Sequence, residues 1–289
     1  MRVIFVPVAD RPECAAALST AFRLGKSVGA SVVGCHIRLH RHSPVAVPSL
    51  LEPFGDANDD AQWQAAWKPK DSETTGIAAK TLFTQVAQHY GYDVLRNPRA
   101  KPGAVWMEKT GAPQKVIGIM GPVADLLVVS RPSPKGGALA QLFLSASLLK
   151  SSRPVLVLPQ AEKRTIGKRI CIAWNQSTEA ARAVTAAMPL LSQADQVSIV
   201  TCGAENRVGP TAKQLAAYLK YWGVTSERFS TEGKDQATEI IANYKSTHSD
   251  LLVMGAYSRN RMRQLVFGGL TDYMLKRMSI PIPILMLHS

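Results

Sequence analysis

The residues best equipped for chemistry lie near the C-terminus, in Gly255-Ala256-Tyr257-Ser258-Arg259-Asn260-Arg261-Met262-Arg263-Gln264-Leu265-Val266-Phe267-Gly268-Gly269-Leu270-Thr271. Gly255 has no Cβ to keep a ligand away from the backbone. Gly268 and Gly269 precede an expected helix, whose free N–H groups and dipole favour an anion. Ser258 and Thr271 add hydroxyls, and Arg259, Arg261 and Arg263 add guanidinium groups suited to phosphate. These types at this spacing suit a phosphate-bearing ligand. A loop closed by glycine with a solvated arginine face would use the same residues, and their types alone leave both readings open.

The elements that must position this loop are legible from a repeat. Five segments recur in the same order along the 289 residues. The apolar run Arg2–Asp10 answers to Arg169–Asn175, and each is followed by an alanine-rich stretch with helical spacing. Cys14, Leu18, Ala21 and Val28 share one face of the first stretch; Ala180, Val184, Ala187, Met188 and Leu191 share one face of the second. Ser31–Cys35 then pairs with Val197–Cys202, Ala124–Ser130 with Ser249–Gly255, and Arg153–Leu158 with Ile282–Leu287.

Near-continuous apolar strands alternating with amphipathic helices specify a parallel sheet covered on both faces. The expected fold is therefore α/β: two tandem, Rossmann-like, doubly wound domains, each a five-stranded parallel sheet with helices on both faces. The polar run Gln160–Thr165 separates domain 1–160 from domain 161–289. The first copy carries an insertion at about 40–75, where Pro44, Pro48, Pro53 and Gly55 break the periodicity. It reads as a solvated segment with one or two short helices, or as a lid or partner surface. In such sheets a ligand sits at the carboxyl ends of the first and fourth strands, which here end at Asn175 and Gly255.

At these residues the chain resembles the universal stress protein family. The family's nucleotide signature is Gly, two residues, Gly, nine residues, Gly, then Ser or Thr. Gly255, Ala256 and Tyr257, Ser258, Arg259 to Phe267, Gly268 and Gly269 keep that spacing, with Ser258 standing for the second Gly and Gly269 for Ser or Thr. Ala173-Trp174-Asn175-Gln176-Ser177 resembles the first-strand turn, with Asn175 where Asp is usual. The resemblance implies an adenine nucleotide, ATP or a relative with or without magnesium, bound by the second copy. It implies that Ala173, Trp174, Asn175 and Met254, with Cys202 as a weaker candidate, line the adenine and ribose. Gly255, Ser258 and Arg259 would hold sugar and phosphates, and Gly268, Gly269, Leu270 and Thr271 would cradle the phosphates. The implied function is a stress-response protein with a regulatory nucleotide. A nucleotide-independent scaffold and a slow nucleotide hydrolase are the alternatives.

The first copy departs from the signature. After Val129 it continues Ser130-Arg131-Pro132-Ser133-Pro134, and no glycine pair opens the next helix. Asp10, Pro12 and Glu13 read as a helix cap rather than a ligand site. No catalytic set is evident, and the Ser-Gly-Gly-x-Asp-Ser-like loop of adenylating pyrophosphatases is missing from both first-strand turns. His36, His40 and His42 follow the second expected strand among Arg38 and Arg41, without a carboxylate or cysteine to complete a metal set.

The formal charge is +13, from 34 Lys/Arg and 21 Asp/Glu. It is spread evenly, with 18 cations against 11 anions in 1–160 and 16 against 10 in 161–289. Without a basic tail or basic–aromatic interleaving, this pattern argues against dedicated nucleic-acid binding. Cys14, Cys35, Cys171 and Cys202 form no C-x-x-C pair, which points to a reduced, cytoplasmic setting. No apolar run reaches the roughly 18 residues of a membrane span. Apolar fifth strands at the sheet edges invite pairing within the chain as a pseudo-dimer and leave homodimerisation and an unidentified protein partner open.

Overall fold

Branched apolar runs only four to eight residues long are buried on both sides when they lie inside a parallel sheet, and the computed structural model arranges them so. It describes residues 1–9, 12–38, 71–132, 137–160, 165–256, 270–276 and 282–288. Residues 39–70, most of the proline-broken insertion, lie outside this set, as do Asp10 and the side chains of Pro12 and Glu13. The chain divides into two units, Met1–Lys163 and Arg164–Ser289.

The first unit runs β1 (Val3–Pro7), α1 (Pro12–Val28), β2 (Ser31–Arg38), α2 (Asp71–His89), β3 (Val94–Leu95), β4 (Ala104–Thr110), α3 (Pro113–Met120), β5 (Leu126–Ser130), α4 (Gly137–Lys150) and β6 (Val155–Leu158). Its strand order is β3-β4-β2-β1-β5-β6, with every neighbouring pair parallel. Five strands were expected, and the described residues form six. The addition, β3, is a two-residue strand at the outer edge, too short to leave a periodic pattern in sequence. Packing between α1, α2 and β4 is aromatic. Phe22 meets Phe83 at 5.5 Å and Tyr92 at 5.0 Å, and Phe83 meets Trp106 at 5.3 Å.

The second unit runs β7 (Arg169–Ala173), α5 (Thr178–Leu191), β8 (Gln196–Cys202), α6 (Ala212–Lys220), β9 (Glu227–Thr231), α7 (Gln236–Ser246), β10 (Leu251–Ala256), α8 (Leu270–Lys276) and β11 (Ile284–His288). Its order is β11-β10-β7-β8-β9, again all parallel, which is the five-stranded doubly wound arrangement. Its strands show why periodicity worked: Leu251 to Met254 are all buried, whereas edge strand β9 is largely exposed. The alanine-rich face of α5 is buried at Ala180, Ala183, Val184, Ala187, Met188, Leu190 and Leu191, against β7, β10 and β11.

One polar contact is made in both units. Asp125, at the amino end of β5, accepts the N–H groups of Arg2 at 2.6 Å and Val3 at 2.9 Å. Asp250, at the amino end of β10, accepts those of Gly167, Lys168 and Arg169 at 2.7, 3.0 and 3.2 Å. Each carboxylate ties the fourth main strand to the first, alongside backbone bonds from Asp125 to Val3 and from Asp250 to Arg169. Burial pulls the Asp125 carboxyl upward. The N–H groups of Arg2 and Val3, with the positive N-terminus and Arg153, outweigh it and hold the group below its ordinary 3.8.

Because the folded carboxyl is the stronger acid, its contribution is complete above the ordinary aspartate value and vanishes as pH falls through the lowered one. Asp125→Asn should lower stability at neutral pH by about 1–3 kcal/mol. The gap to the native protein should close on acidification below the ordinary aspartate range. Urea titrations of both proteins at neutral and acidic pH check this.

Candidate functional site

Where strand order reverses, the connections leave in opposite directions and open a crevice at the carboxyl ends. In the second unit the flanking strands are β7 and β10, in register from Ile170 with Leu251 to Ala173 with Met254. Ala173 and Met254, two residues expected at the base and ribose, therefore form the last rung together. They are almost fully buried.

Gly255 comes next, and its need for glycine has a specific cause. A Cβ there would lie 2.6 Å from the backbone nitrogen of Ala180 and 2.9 Å from the Cβ of Glu179. The missing side chain was expected to admit a ligand; in the structure it admits the first turn of α5. That turn is set locally by an N-cap, Ser177, whose Oγ accepts the N–H of Ala180 at 3.1 Å. Asn175, expected beside the nucleotide, is exposed and its Oδ1 accepts the N–H of Ser177 at 3.2 Å.

Between these two lies Gln176, buried and in the left-handed region at φ +60°. Its Nε2 donates to the carbonyl of Gly209 at 3.0 Å, and its Oε1 accepts the N–H of Arg207 at 3.1 Å. Trp174 adds a bond from Nε1 to the Pro210 carbonyl at 2.8 Å. A Cβ on Gly209 would stand 2.2 Å from the Gln176 carbonyl oxygen, so only glycine passes there. Residues 207–210 are thus strapped across the end of β7. Trp174, expected to line the base, is 3% exposed with its indole N–H committed to this strap. Sequence inspection missed the strap: Gly209-Pro210 marks a turn, but nothing local says what it touches.

Cys202 ends β8, half-buried, with its thiol 3.9 Å from the Gln236 carbonyl. Burial pushes this thiol above its usual pKa. It pushes the Cys35 and Cys171 thiols up to about 12, and a protonated thiol is a poor nucleophile. Nearby, Glu239 closes the turn after β9. It accepts the Thr231 hydroxyl and the N–H groups of Gly233 and Lys234 at 2.9 Å and Asp235 at 3.3 Å. The Thr231 bond, then the backbone donors, hold its carboxyl below the usual range. Three successive N–H groups, an anion-binding arrangement in principle, are thereby occupied by the chain's own carboxylate.

Leu270 and Thr271 open α8, with Thr271 buried. Ser258, Arg259, Gly268 and Gly269 lie outside the described residues. In the first unit Ser130 stands at the place of Gly255 on β5, and Arg131 after it is 2% exposed. Burial lowers that guanidinium to about 10. His36 lies inside β2 rather than after it, because the strand runs on to Arg38. Its Nδ1 is 3.1 Å from the Val8 carbonyl and its ring stacks on Trp106. His40 and His42 lie outside the described residues.

With this geometry in hand, residues 203–286 match the model of the universal stress protein family. The segment begins after β8 and includes β10 and Gly255. Among solved structures, the chain is similar in fold to a universal stress protein from Archaeoglobus fulgidus DSM 4304, with TM-score 0.68 and 12% identity over 99% of this chain and 98% of that one. It is also similar to a universal stress protein from Pseudomonas aeruginosa UCBPP-PA14, with TM-score 0.54 and 14% identity over 100% and 93%. A search of curated protein sequences finds no match. The similar architecture is the parallel, helix-flanked α/β fold of universal stress proteins.

Two substitutions probe the crevice. Gly255→Ala should cost about 1–3 kcal/mol by overpacking β10 against α5, measured by chemical denaturation. Gln176→Ala should speed amide exchange at Arg207 by roughly two- to tenfold, as one hydrogen bond is lost. Exchange within β7 should be unchanged.

Proposed function

We propose that the chain is a stress-response protein whose second unit binds ATP or a related adenine nucleotide as a regulatory ligand. The observation that carries this reading is the carboxyl-end crevice between β7 and β10, where Ala173 and Met254 form the last rung and Gly255 brings in the start of α5. The family match over residues 203–286 supports it independently. The spacing from Gly255 to Gly268 and Gly269 supplies the phosphate-binding part of the argument.

The role is binding rather than turnover. Nucleotide would alter the surface offered to a protein partner, with magnesium accompanying the phosphates where a triphosphate is bound. The setting proposed is the cytoplasm; among the described residues no helix is long and apolar enough to cross a membrane. The first unit is proposed as a structural partner, since Ser130, Arg131 and Pro132 replace the glycine-led turn.

Isothermal calorimetry with ATP tests the reading. The native protein should bind at submillimolar concentration, and Gly268→Val and Gly269→Val should abolish the heat while leaving the melting temperature within a few degrees. Absence of binding below millimolar ATP would transfer the function to a nucleotide-independent scaffold.

A further inference from the structure

From Ala212 to Ser226 the chain carries two lysines, Lys213 and Lys220, and no side-chain carboxylate. Most of this stretch is α6, started by the capping box of Thr211 with Gln214 and ended at Gly223, φ +72°. Ala212, Leu215 and Leu219 are its buried side, and both lysines are exposed. Tyr221 and Trp222 follow in the turn that leads into β9, and they are 90% and 53% exposed. The surface at this corner is aromatic and cationic at once.

β9 itself is open. It is the outermost strand of its unit and pairs with β8 alone among the described strands. The Phe229 carbonyl accepts the Thr201 hydroxyl at 3.3 Å, and the Thr231 carbonyl accepts the Gly203 N–H at 2.9 Å, so both are turned to β8. Backbone direction alternates along a strand, and Arg228 and Ser230 therefore aim their N–H and C=O groups outward. Side chains alternate as well. Glu227 shares a face with Thr231, which bonds Glu239 of α7, and this leaves exposed Arg228 on the opposite face. Doubly wound crossovers put α6 on that same face. Lys213, Lys220 and Arg228 are thus on one side of the sheet and Glu227 on the other.

An open edge can be extended by a strand from another chain, and the charge limits which one. A second copy would bring the same cations into the contact and the same overall +13. A lipid surface would leave the outward backbone groups without partners. Single-stranded nucleic acid can stack on aromatic rings but has no ladder of donors and acceptors to match a strand. An extended acidic segment satisfies the backbone, the cations and the aromatic corner together. We propose that the outer edge of β9, with Lys220, Tyr221, Trp222 and Arg228, is a docking surface for an extended acidic segment of a partner protein, which adds as a further strand. This surface is separate from the β7–β10 crevice, and the inference does not depend on the nucleotide reading.

Short fluorescein-labelled peptides that alternate Asp or Glu with Val or Tyr, titrated with the native full chain and read by anisotropy, test the proposal. They should bind at micromolar concentration, and the same peptides with Lys at the acidic positions should bind at least about tenfold more weakly. Lys220→Glu combined with Arg228→Glu should reverse that preference. Tyr221→Ala combined with Trp222→Ala should weaken the acidic peptides by about tenfold, as loss of an aromatic anchor does. All four side chains are exposed, so melting temperatures should stay within a few degrees of the native value. Bound peptide should slow amide exchange at Arg228 and Ser230. N-methylation of one alternate set of peptide amides should abolish binding, and methylation of the other set should not. Failure of every acidic peptide to bind below millimolar concentration overturns the proposal, as does binding that leaves exchange at Arg228 and Ser230 unchanged. Tighter binding of a thymidine oligonucleotide, lost in the Tyr221→Ala and Trp222→Ala variant, would overturn it in favour of nucleic acid. A native dimer whose formation slows exchange at Arg228 and Ser230 would overturn it in favour of a second copy.

Discussion

Both sheets depend on an aspartate carboxylate that joins the first and fourth main strands. Asp125 and Asp250 collect the N–H groups at the start of β1 and just before β7, at the strand pair where the order reverses. A parallel sheet has no hairpin to set its register there, since the paired strands are far apart in sequence. A charge-assisted bond to several backbone donors does that work at the amino end. The crevice at the opposite end of the same strands inherits its geometry from this anchor.

At that opposite end the second unit is organised by close backbone approach. α5 can start where it does because Gly255 has no side chain, and the strap can cross β7 because Gly209 has none. Gln176 stabilises the crossing with both ends of its amide, at the expense of a left-handed backbone. The Trp174 indole N–H and one acceptor site of the Asn175 oxygen are used internally there.

The first unit keeps the sheet order and the aspartate anchor while changing the carboxyl end. Ser130 replaces the glycine, buried Arg131 follows it, and Pro132 takes away a backbone donor. Register and burial of the strands survive these changes because they depend on apolar side chains within the sheet, not on the turn beyond it. The two copies thus share what builds the fold and differ in what would hold a ligand.

Sequence alone determined the α/β class, the duplication and most of the strands and helices. The apolar runs at Leu126–Ser130 and Leu251–Ala256 are buried for the reason their composition indicates, and the alanine face of α5 follows its helical spacing. Sequence spacing also marked Ala173, Met254 and Gly255 as neighbours in one place. It could not assign their work, because that depends on which distant backbone comes within 3 Å. Only the tertiary structure decided that Gly255 receives α5, that Trp174 and Gln176 hold the 207–210 strap, and that Glu179 is buried. Strand β3 was missed because two residues carry no period, and Gln176 because a left-handed φ at a non-glycine residue leaves no mark in composition. Local pattern records what each segment buries, whereas contacts between segments distant in the chain exist only once the sheet has brought them together.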